Sequence, residues 1–285
     1  IFASILNEPN KDTTIYRYIS FPYFIEMLKE NKFSVNSIVS MNDKTEVNYI
    51  EKYMDGASIN DLLFKEDQIK NASERFISCF SSRGDDLTLW RLYTNNASGV
   101  CLEYTLKEQT LQLGTYIKKV KYADKPDGQD NVEKHEQIDT FRRIKHELIG
   151  RYQTTFRLRS LYVWKHFFKP SAFADESEIR LLIRNRKSES PKKWRIDSSS
   201  GIVTSFIEFR LFDNNLPICL KRVILGPKVP ESEVNKAQIE GLIKTLKAQK
   251  IRDPSTGLLK NLYDDDERKL LSKVKVERSK IQYYR

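Results

Sequence analysis

Short segments rich in β-branched and aromatic residues recur along the chain, and amphipathic helical segments separate them. Composition and alternation in residues 13–19, 75–81 and 178–184 predict strands. Residues 138–156 instead place apolar side chains at helical spacing, which predicts a long amphipathic helix. This order of elements predicts an α+β fold. Further strands are predicted at 99–106, 115–122, 202–210, 217–225 and 273–278, and further helices at 20–31, 87–93 and from 232 onward.

Neither an internal repeat nor a break in composition marks a second domain. We therefore expect one α+β domain over residues 1–285 with a central mixed or antiparallel sheet. A loop and long helix at about 123–160 and a polar segment at about 252–268 are expected insertions. Because the chain opens with Ile1 rather than Met, we also expect an N-terminal portion before it.

Composition excludes several classes of protein. Aromatic residues make up 11% of the chain, which excludes disorder for most of it. The longest apolar runs are far shorter than the roughly 20 residues that span a bilayer, so no membrane partner is expected. Cys79, Cys101 and Cys219 are widely spaced in apolar stretches, which predicts reduced, buried thiols in a cytoplasmic protein. The three histidines lack metal-ligand spacing, and no glycine-rich phosphate-binding motif occurs.

Arg17 lies between Tyr16 and Tyr18 on the first predicted strand. Alternate side chains of a strand point to opposite faces, so Arg17 points away from both tyrosines. A guanidinium in such a strand is costly unless it pairs with a carboxylate or binds a phosphate. A structural ion pair and phosphate binding both explain this residue.

Two further segments carry polar groups at turns. Asn42, Asp43 and Glu46 fit a helix cap with a reciprocal glutamate, or a metal or ribose site. Ser81 ends a predicted strand, and Trp90 and Tyr93 follow it. These two aromatic side chains could stack on a flat ligand, although such residues more often belong to the core.

Glu176 and Glu178 stand two residues apart at the start of a predicted strand, so their carboxylates point the same way. Like charges this close raise each other's pKa and require a compensating partner. Lys169, Arg17, a cationic substrate or a ribose could supply it, and exposure to solvent would also explain the pair.

Basic residues are concentrated in two stretches. Residues 179–195 hold seven Arg or Lys and one Glu, and residues 140–159 hold six and one. Such clusters fit phosphate backbones, although a solvated helix face explains the second stretch nearly as well. The predicted nucleic-acid-binding residues are Arg184, Arg186, Lys187, Lys192, Lys193 and Arg195.

Taken in order, these segments resemble a bacterial family catalogued as domain of unknown function 2971. The motifs that carry the resemblance are Ile15-Tyr16-Arg17-Tyr18, Asn42-Asp43 with Glu46, Cys79-Phe80-Ser81, Trp90 with Tyr93, Gly99-Val100, Lys169, Phe173 to Arg180, Gly226-Pro227 and Ser279-Lys280-Ile281-Gln282-Tyr283. The family name implies no activity.

The order of Arg17, Ser81 and Glu-x-Glu also resembles the Arg-Ser-Glu class of ADP-ribosyltransferases. That resemblance implies a split sheet and an NAD-dependent transferase acting on a nucleic acid or protein. Arg17 would hold NAD phosphate or ribose, and Ser81 would support the ribose. Glu178 would stabilise the positive charge of the transition state, and Glu176 would orient the acceptor. The implied NAD-binding residues are Arg17, Tyr16, Tyr18, Asn42, Asp43, Glu46, Trp90, Tyr93 and Lys169.

Two alternatives belong to other classes. One is a Mg²⁺-dependent nuclease that uses Asp43, Glu46, Glu176 and Glu178 as ligands, with Lys169 assisting. The other is a non-catalytic module that binds nucleic acid or a partner protein through the basic surface. A role as a toxin or antiphage defence effector is an expectation based on how such bacterial domains are often used.

Overall fold

A computed structural model of the chain describes residues 12–38, 49, 75–107, 114–124, 135–154, 161–184, 191–196 and 201–281. The described strands are β1 Thr14–Ile19, β2 Phe33–Ser37, β3 Arg75–Ser81, β4 Val100–Leu106, β5 Thr115–Lys119, β6 Lys121–Tyr122, β7 Phe168–Lys169, β8 Glu178–Arg184, β9 Lys193–Ile196, β10 Val203–Phe209, β11 Ile218–Leu225, β12 Lys250–Arg252, β13 Leu259–Asn261 and β14 Lys275–Arg278. The described α-helices are α1 Phe21–Glu30, α2 Leu87–Tyr93, α3 Glu136–Tyr152, α4 Leu161–Trp164, α5 Ser232–Ala248 and α6 Asp265–Leu271. Two 3₁₀ helices span Lys165–Phe167 and Ser171–Glu176.

The strands include a large mixed sheet, with parallel pairing of β11 and β14 and antiparallel pairing of β4 with β1 and β11. The expected α+β class and mixed sheet are therefore confirmed. The sheet split implied by the transferase resemblance stays a prediction. In the described part of the chain, no helix has the length and apolar character needed to cross a membrane.

The chain forms two compact units. The Arg17 unit consists of Asn10–Ser34, Phe80–Gln112 and Glu208–Arg285. The Glu178 unit consists of Ile1–Pro9, Val35–Cys79 and Leu113–Ile207.

In the Arg17 unit, β1 lies antiparallel to β4, and Tyr16 also pairs with Ser81 at the end of β3. Helix α1, predicted at 20–31, begins with a proline in its first turn and buries Phe24, Met27 and Leu28. It ends where Asn31 adopts a left-handed conformation, which asparagine tolerates better than most residues.

In the Glu178 unit, β5 pairs with β8 in antiparallel register from Thr115 opposite Ile183 to Lys119 opposite Ile179. The predicted single strand at 115–122 is wrong, because the chain leaves β8 after Lys119 and β6 pairs with β7 instead. The predicted long helix is confirmed as Glu136–Tyr152 and ends at Gln153, which has a left-handed conformation.

The structure contains further elements that the sequence analysis did not predict. The polar segment at 252–268 includes part of the β12–β13 hairpin and the start of α6, and its status as an insertion stays a prediction. Helix α5 begins at Ser232, and Glu231 occupies its capping position. The sequence reading also missed β2 and the short strand β9 within the basic stretch.

Candidate functional site

The guanidinium of Arg17 lies beside an aromatic ring and not beside a hydrogen-bond acceptor. Its guanidinium carbon lies 5.0 Å from the centre of the Phe33 ring. Nη1 is buried and has no hydrogen-bond partner. Among the described residues no carboxylate pairs with Arg17, so the structural ion pair considered from the sequence is not found there.

Tyr104 supplies a second buried polar group in the Arg17 unit. Its side chain is fully buried, and its hydroxyl has no hydrogen-bond partner. Burial raises the pKa of Tyr104, and the positive charge of Arg17 offsets part of that rise. The hydroxyl therefore stays protonated at neutral pH and can donate. We call Arg17 and Tyr104 the donor pair.

Ser81 and Tyr16 face away from the donor pair. The two residues are opposite each other across β1 and β3, so their side chains share a face, while Arg17 points to the other face of β1. Ser81 is buried, and its Oγ accepts a hydrogen bond of 3.0 Å from the Arg83 amide. The structure thus places Arg17 and Ser81 on opposite faces of the paired strands.

Trp90 and Tyr18 help to form the core of the Arg17 unit. Trp90 is fully buried and meets the Tyr18 ring edge-on, with centroids 5.0 Å apart. The Tyr18 hydroxyl donates to the Arg83 carbonyl and accepts from the Asp86 amide. Tyr93, by contrast, is 48% exposed. Of these three aromatic residues, only Tyr93 leaves a large part of its ring open to a ligand.

Asp85 connects this core to the C-terminal segment. Its Oδ1 accepts from the Trp90 indole at 2.9 Å and from the Ser279 hydroxyl at 2.6 Å. Its Oδ2 accepts from the Lys280 amide at 2.7 Å. The only signal for this role in the sequence was the Ser-Lys-Ile tail motif, which contributes two of the donors.

Glu178 lies in a dense ionic cluster at the start of β8. It is 6% exposed, and its carboxylate accepts two hydrogen bonds from Arg180, of 2.8 and 3.0 Å. Lys169 Nζ lies 3.1 Å from Glu178 Oε2. Burial alone would raise the pKa of Glu178, but the charge and hydrogen bonds of Arg180, aided by Lys169, lower it to about 2. The carboxylate is therefore ionised across the physiological range.

Lys169 also holds Glu176, with Nζ 2.6 Å from Glu176 Oε2. It lies 4.8 Å from the centre of the Phe173 ring. Ser177 has a left-handed conformation, which turns the chain between the 3₁₀ helix and β8 and brings both carboxylates to one lysine. Lys169 is thus the compensating partner that the sequence suggested. Arg180 was missed, although its position two residues after Glu178 places both on one face of the strand.

Cys79, on β3, lies beside this cluster and is exposed to solvent. The sequence predicts a buried thiol, and that prediction is wrong, because Cys79 is exposed while its neighbours on β3 are buried. Cys101 and Cys219 are buried as predicted. Desolvation by the surrounding protein, followed by the negative charge of Glu178, raises the pKa of the Cys79 thiol well above its usual value. The Cys79 thiol is therefore protonated at neutral pH.

Several predicted site residues lie outside the described part of the chain: Asn42, Asp43, Glu46, Arg186 and Lys187. Within the described ranges, no group of three or more His, Cys, Asp or Glu side chains could hold a metal ion. Of the proposed nuclease ligands, Glu176 and Glu178 both contact Lys169.

The remaining basic residues differ in their surroundings. Arg184 is half-buried, whereas Lys192 and Lys193 are exposed. Arg195 donates to Asn36 Oδ1 at 2.7 Å and lies 4.7 Å from the centre of the Phe206 ring. Arg195 thus has a structural role within its unit.

Comparison with known proteins gives one positive result. Residues 89–181 match the family described as Protein of unknown function (DUF2971). The family resemblance predicted from the sequence is therefore confirmed over this segment. The matched range includes Trp90, Tyr93, Lys169, Glu176 and Glu178, whereas Arg17 and Ser81 precede it. No curated protein and no solved structure matches the chain significantly.

Proposed function

We propose that the protein is an ADP-ribosyltransferase-like enzyme that uses NAD. The observation that supports this proposal best is the donor pair, a buried guanidinium nitrogen and a buried phenol without acceptors. Leaving a buried donor unsatisfied costs about 1–3 kcal/mol, and more when it is charged. An anionic ligand that accepts from both groups would remove that cost.

The diphosphate of NAD carries the anionic acceptor oxygens that the donor pair lacks. Arginine binds phosphate oxygens through parallel N–H donors in a planar fork. Phe33 lies against the guanidinium and restricts its orientation. In this proposal Arg17 binds a phosphate group and Tyr104 donates to a neighbouring oxygen.

Glu178 supplies the negative charge that the reaction needs. NAD bound by the enzyme contributes a ribose whose C1′–N bond to nicotinamide breaks, the electron pair leaving with nicotinamide. A carboxylate stabilises the positive charge that develops at C1′. Arg180 and Lys169 keep Glu178 ionised. Glu176, the more exposed of the two glutamates, takes the proton of the acceptor as its nucleophile bonds to C1′.

NAD binding and nicotinamide release test this proposal. Arg17→Gln should weaken NAD binding by at least tenfold, because a hydrogen bond to a charged group contributes about 1.5–3 kcal/mol. Arg252→Gln, an exposed arginine on the β12–β13 hairpin, is the control and should bind NAD as the wild type does. Glu178→Gln should keep NAD binding and lower nicotinamide release at least a hundredfold.

Two outcomes would contradict the proposal. The first is a wild-type protein that neither binds NAD nor releases nicotinamide with RNA, DNA or cell extract present. The second is an Arg17→Gln variant that binds NAD as tightly as the wild type. Circular dichroism of each variant at the assay temperature separates lost function from lost folding.

A further inference from the structure

The β9–β10 hairpin of the Glu178 unit exposes an apolar face. Trp194, Ile196 and Val203 are 67%, 69% and 62% exposed. Ile196 is opposite Val203, and Trp194 lies two residues before Ile196, so the three side chains share one face. We call these residues the Trp194 face. Single exposed apolar residues are ordinary, but a contiguous group of this kind marks an interaction site.

The other face of the hairpin anchors it. Arg195 donates to Asn36 and lies over the Phe206 ring. Thr204 and Phe206 are buried. These contacts hold β9 in place, so the indole of Trp194 is presented on an ordered strand rather than on a loop. A platform ordered in advance loses less entropy when a ligand binds.

Positive charges lie beside this face in the described residues of the two strand segments. In residues 191–196 and 201–207 the charged side chains are Lys192, Lys193 and Arg195, and both lysines are exposed. An aromatic ring flanked by cations fits single-stranded nucleic acid, in which a base stacks on the ring and phosphates approach the lysines. A second copy of the same face would instead bring lysines against lysines.

We propose that the Trp194 face binds single-stranded nucleic acid, with a base stacked on the indole of Trp194 and a phosphate contacting Lys192, which alternation places on the same side. This site goes beyond the proposed transferase activity, because it involves neither NAD nor Glu178. It does not depend on the remaining basic residues of the stretch 179–195.

Binding of fluorescently labelled oligonucleotides tests the site. The probes are a 12-nucleotide single-stranded DNA, the matching RNA and a duplex of the same length. The wild type should bind both single strands more tightly than the duplex. Trp194→Ala should weaken single-strand binding by tenfold or more, since stacking on an aromatic residue contributes about 1–3 kcal/mol per base. Tyr152→Ala, which removes a 68% exposed ring from α3, is the matched control and should bind normally.

Salt dependence and tryptophan emission give independent readouts. Lys192→Gln should reduce the slope of log K against log salt by about 0.7, the value for one phosphate contact to a single strand. Of the three tryptophans, Trp90 is fully buried and Trp164 packs against Tyr116. The oligonucleotide should therefore quench emission in the wild type and not in Trp194→Phe.

Three results would overturn the proposal. Undetectable binding at low salt is the first, and a Trp194→Ala variant that binds like the wild type is the second. The third is concentration-dependent self-association of the wild type that Trp194→Ala abolishes, since the occupant of the Trp194 face would then be a second copy of the chain.

Discussion

Replacing Glu178 by glutamine should reduce stability strongly, because it removes the carboxylate that pairs with the buried Arg180 and one of the two that pair with Lys169. Lys169 is 4% exposed and Arg180 is 1% exposed, so neither can turn to water without rearrangement. The pKa of Glu178 falls from an ordinary 4.5 to about 2 in the folded protein. At about 1.4 kcal/mol per pKa unit, this corresponds to about 3 kcal/mol. Breaking a buried ion pair typically costs about 3–5 kcal/mol.

The effect should depend on pH in a defined direction. A carboxylate whose pKa is lowered by folding contributes stability above its unfolded pKa, and this contribution disappears as the pH falls through the folded value. The difference between wild type and Glu178→Gln should thus be constant above about pH 4.5 and shrink toward pH 2. Comparing the two proteins cancels the titration of the other carboxylates.

Urea unfolding of both proteins at several pH values measures this difference. Asp266→Asn is the control, because Asp266 lies in an exposed pair with Lys269 and should have no measurable effect. Equal stability of wild type and Glu178→Gln at pH 7, or a difference that does not shrink in acid, would refute the assigned coupling among Glu178, Arg180 and Lys169.

Three further substitutions test local features of the Arg17 unit. Gly84→Ala should destabilise the protein by about 1–3 kcal/mol, because a Cβ there would overlap the ring of Tyr16. In Gly241→Ala, on α5, the new Cβ meets no atom within 4 Å, so the substitution should stabilise the protein by about 0.5–1 kcal/mol. Equal melting temperatures of the Gly84→Ala and Gly241→Ala variants would contradict the contacts described for the two glycines. Asp85→Asn keeps a residue that tolerates the left-handed backbone but replaces one acceptor oxygen, so hydrogen exchange at Lys280 should accelerate. Unchanged protection at that amide would mean that Asp85 does not hold the tail.

Local sequence patterns predicted most of the elements. The strand at Arg75–Ser81 and the helix at Leu87–Tyr93 have the predicted bounds, because composition and capping by Asp86 act within a few residues. Strand β9 was missed because its charged residues were interpreted as a phosphate-binding cluster. Its alternation of Lys193 and Arg195 with Trp194 and Ile196 was the available signal.

Pairing between distant residues was harder to predict. The strand predicted at 115–122 divides at Val120 because β5 pairs with β8 whereas β6 pairs with β7. The sequence of residues 115–122 does not indicate these different pairing partners. The exposure of Cys79 likewise depends on what surrounds the strand rather than on its own apolar sequence.

The candidate site was predictable where its contacts are close in sequence. The carboxylate pair and its compensating lysine lie within ten residues, from Lys169 to Glu178. The donor pair was not predictable, because Arg17 and Tyr104 lie on neighbouring strands only after β1 pairs with β4. Alternation did predict that Arg17 points away from its flanking tyrosines. For Trp90, the sequence left open both a core position and stacking on a ligand.

Each compact unit is assembled from three separate stretches of the chain. The family match at 89–181 begins in the Arg17 unit and ends in the Glu178 unit, so it contains neither in full. A recombinant fragment limited to that range would lack β1, β11 and β14, and should expose apolar strand surface and aggregate. Deletion mapping would therefore report misfolding in place of function. Dissecting this protein calls for point substitutions or circular permutation, in which every stretch of both units stays on the polypeptide.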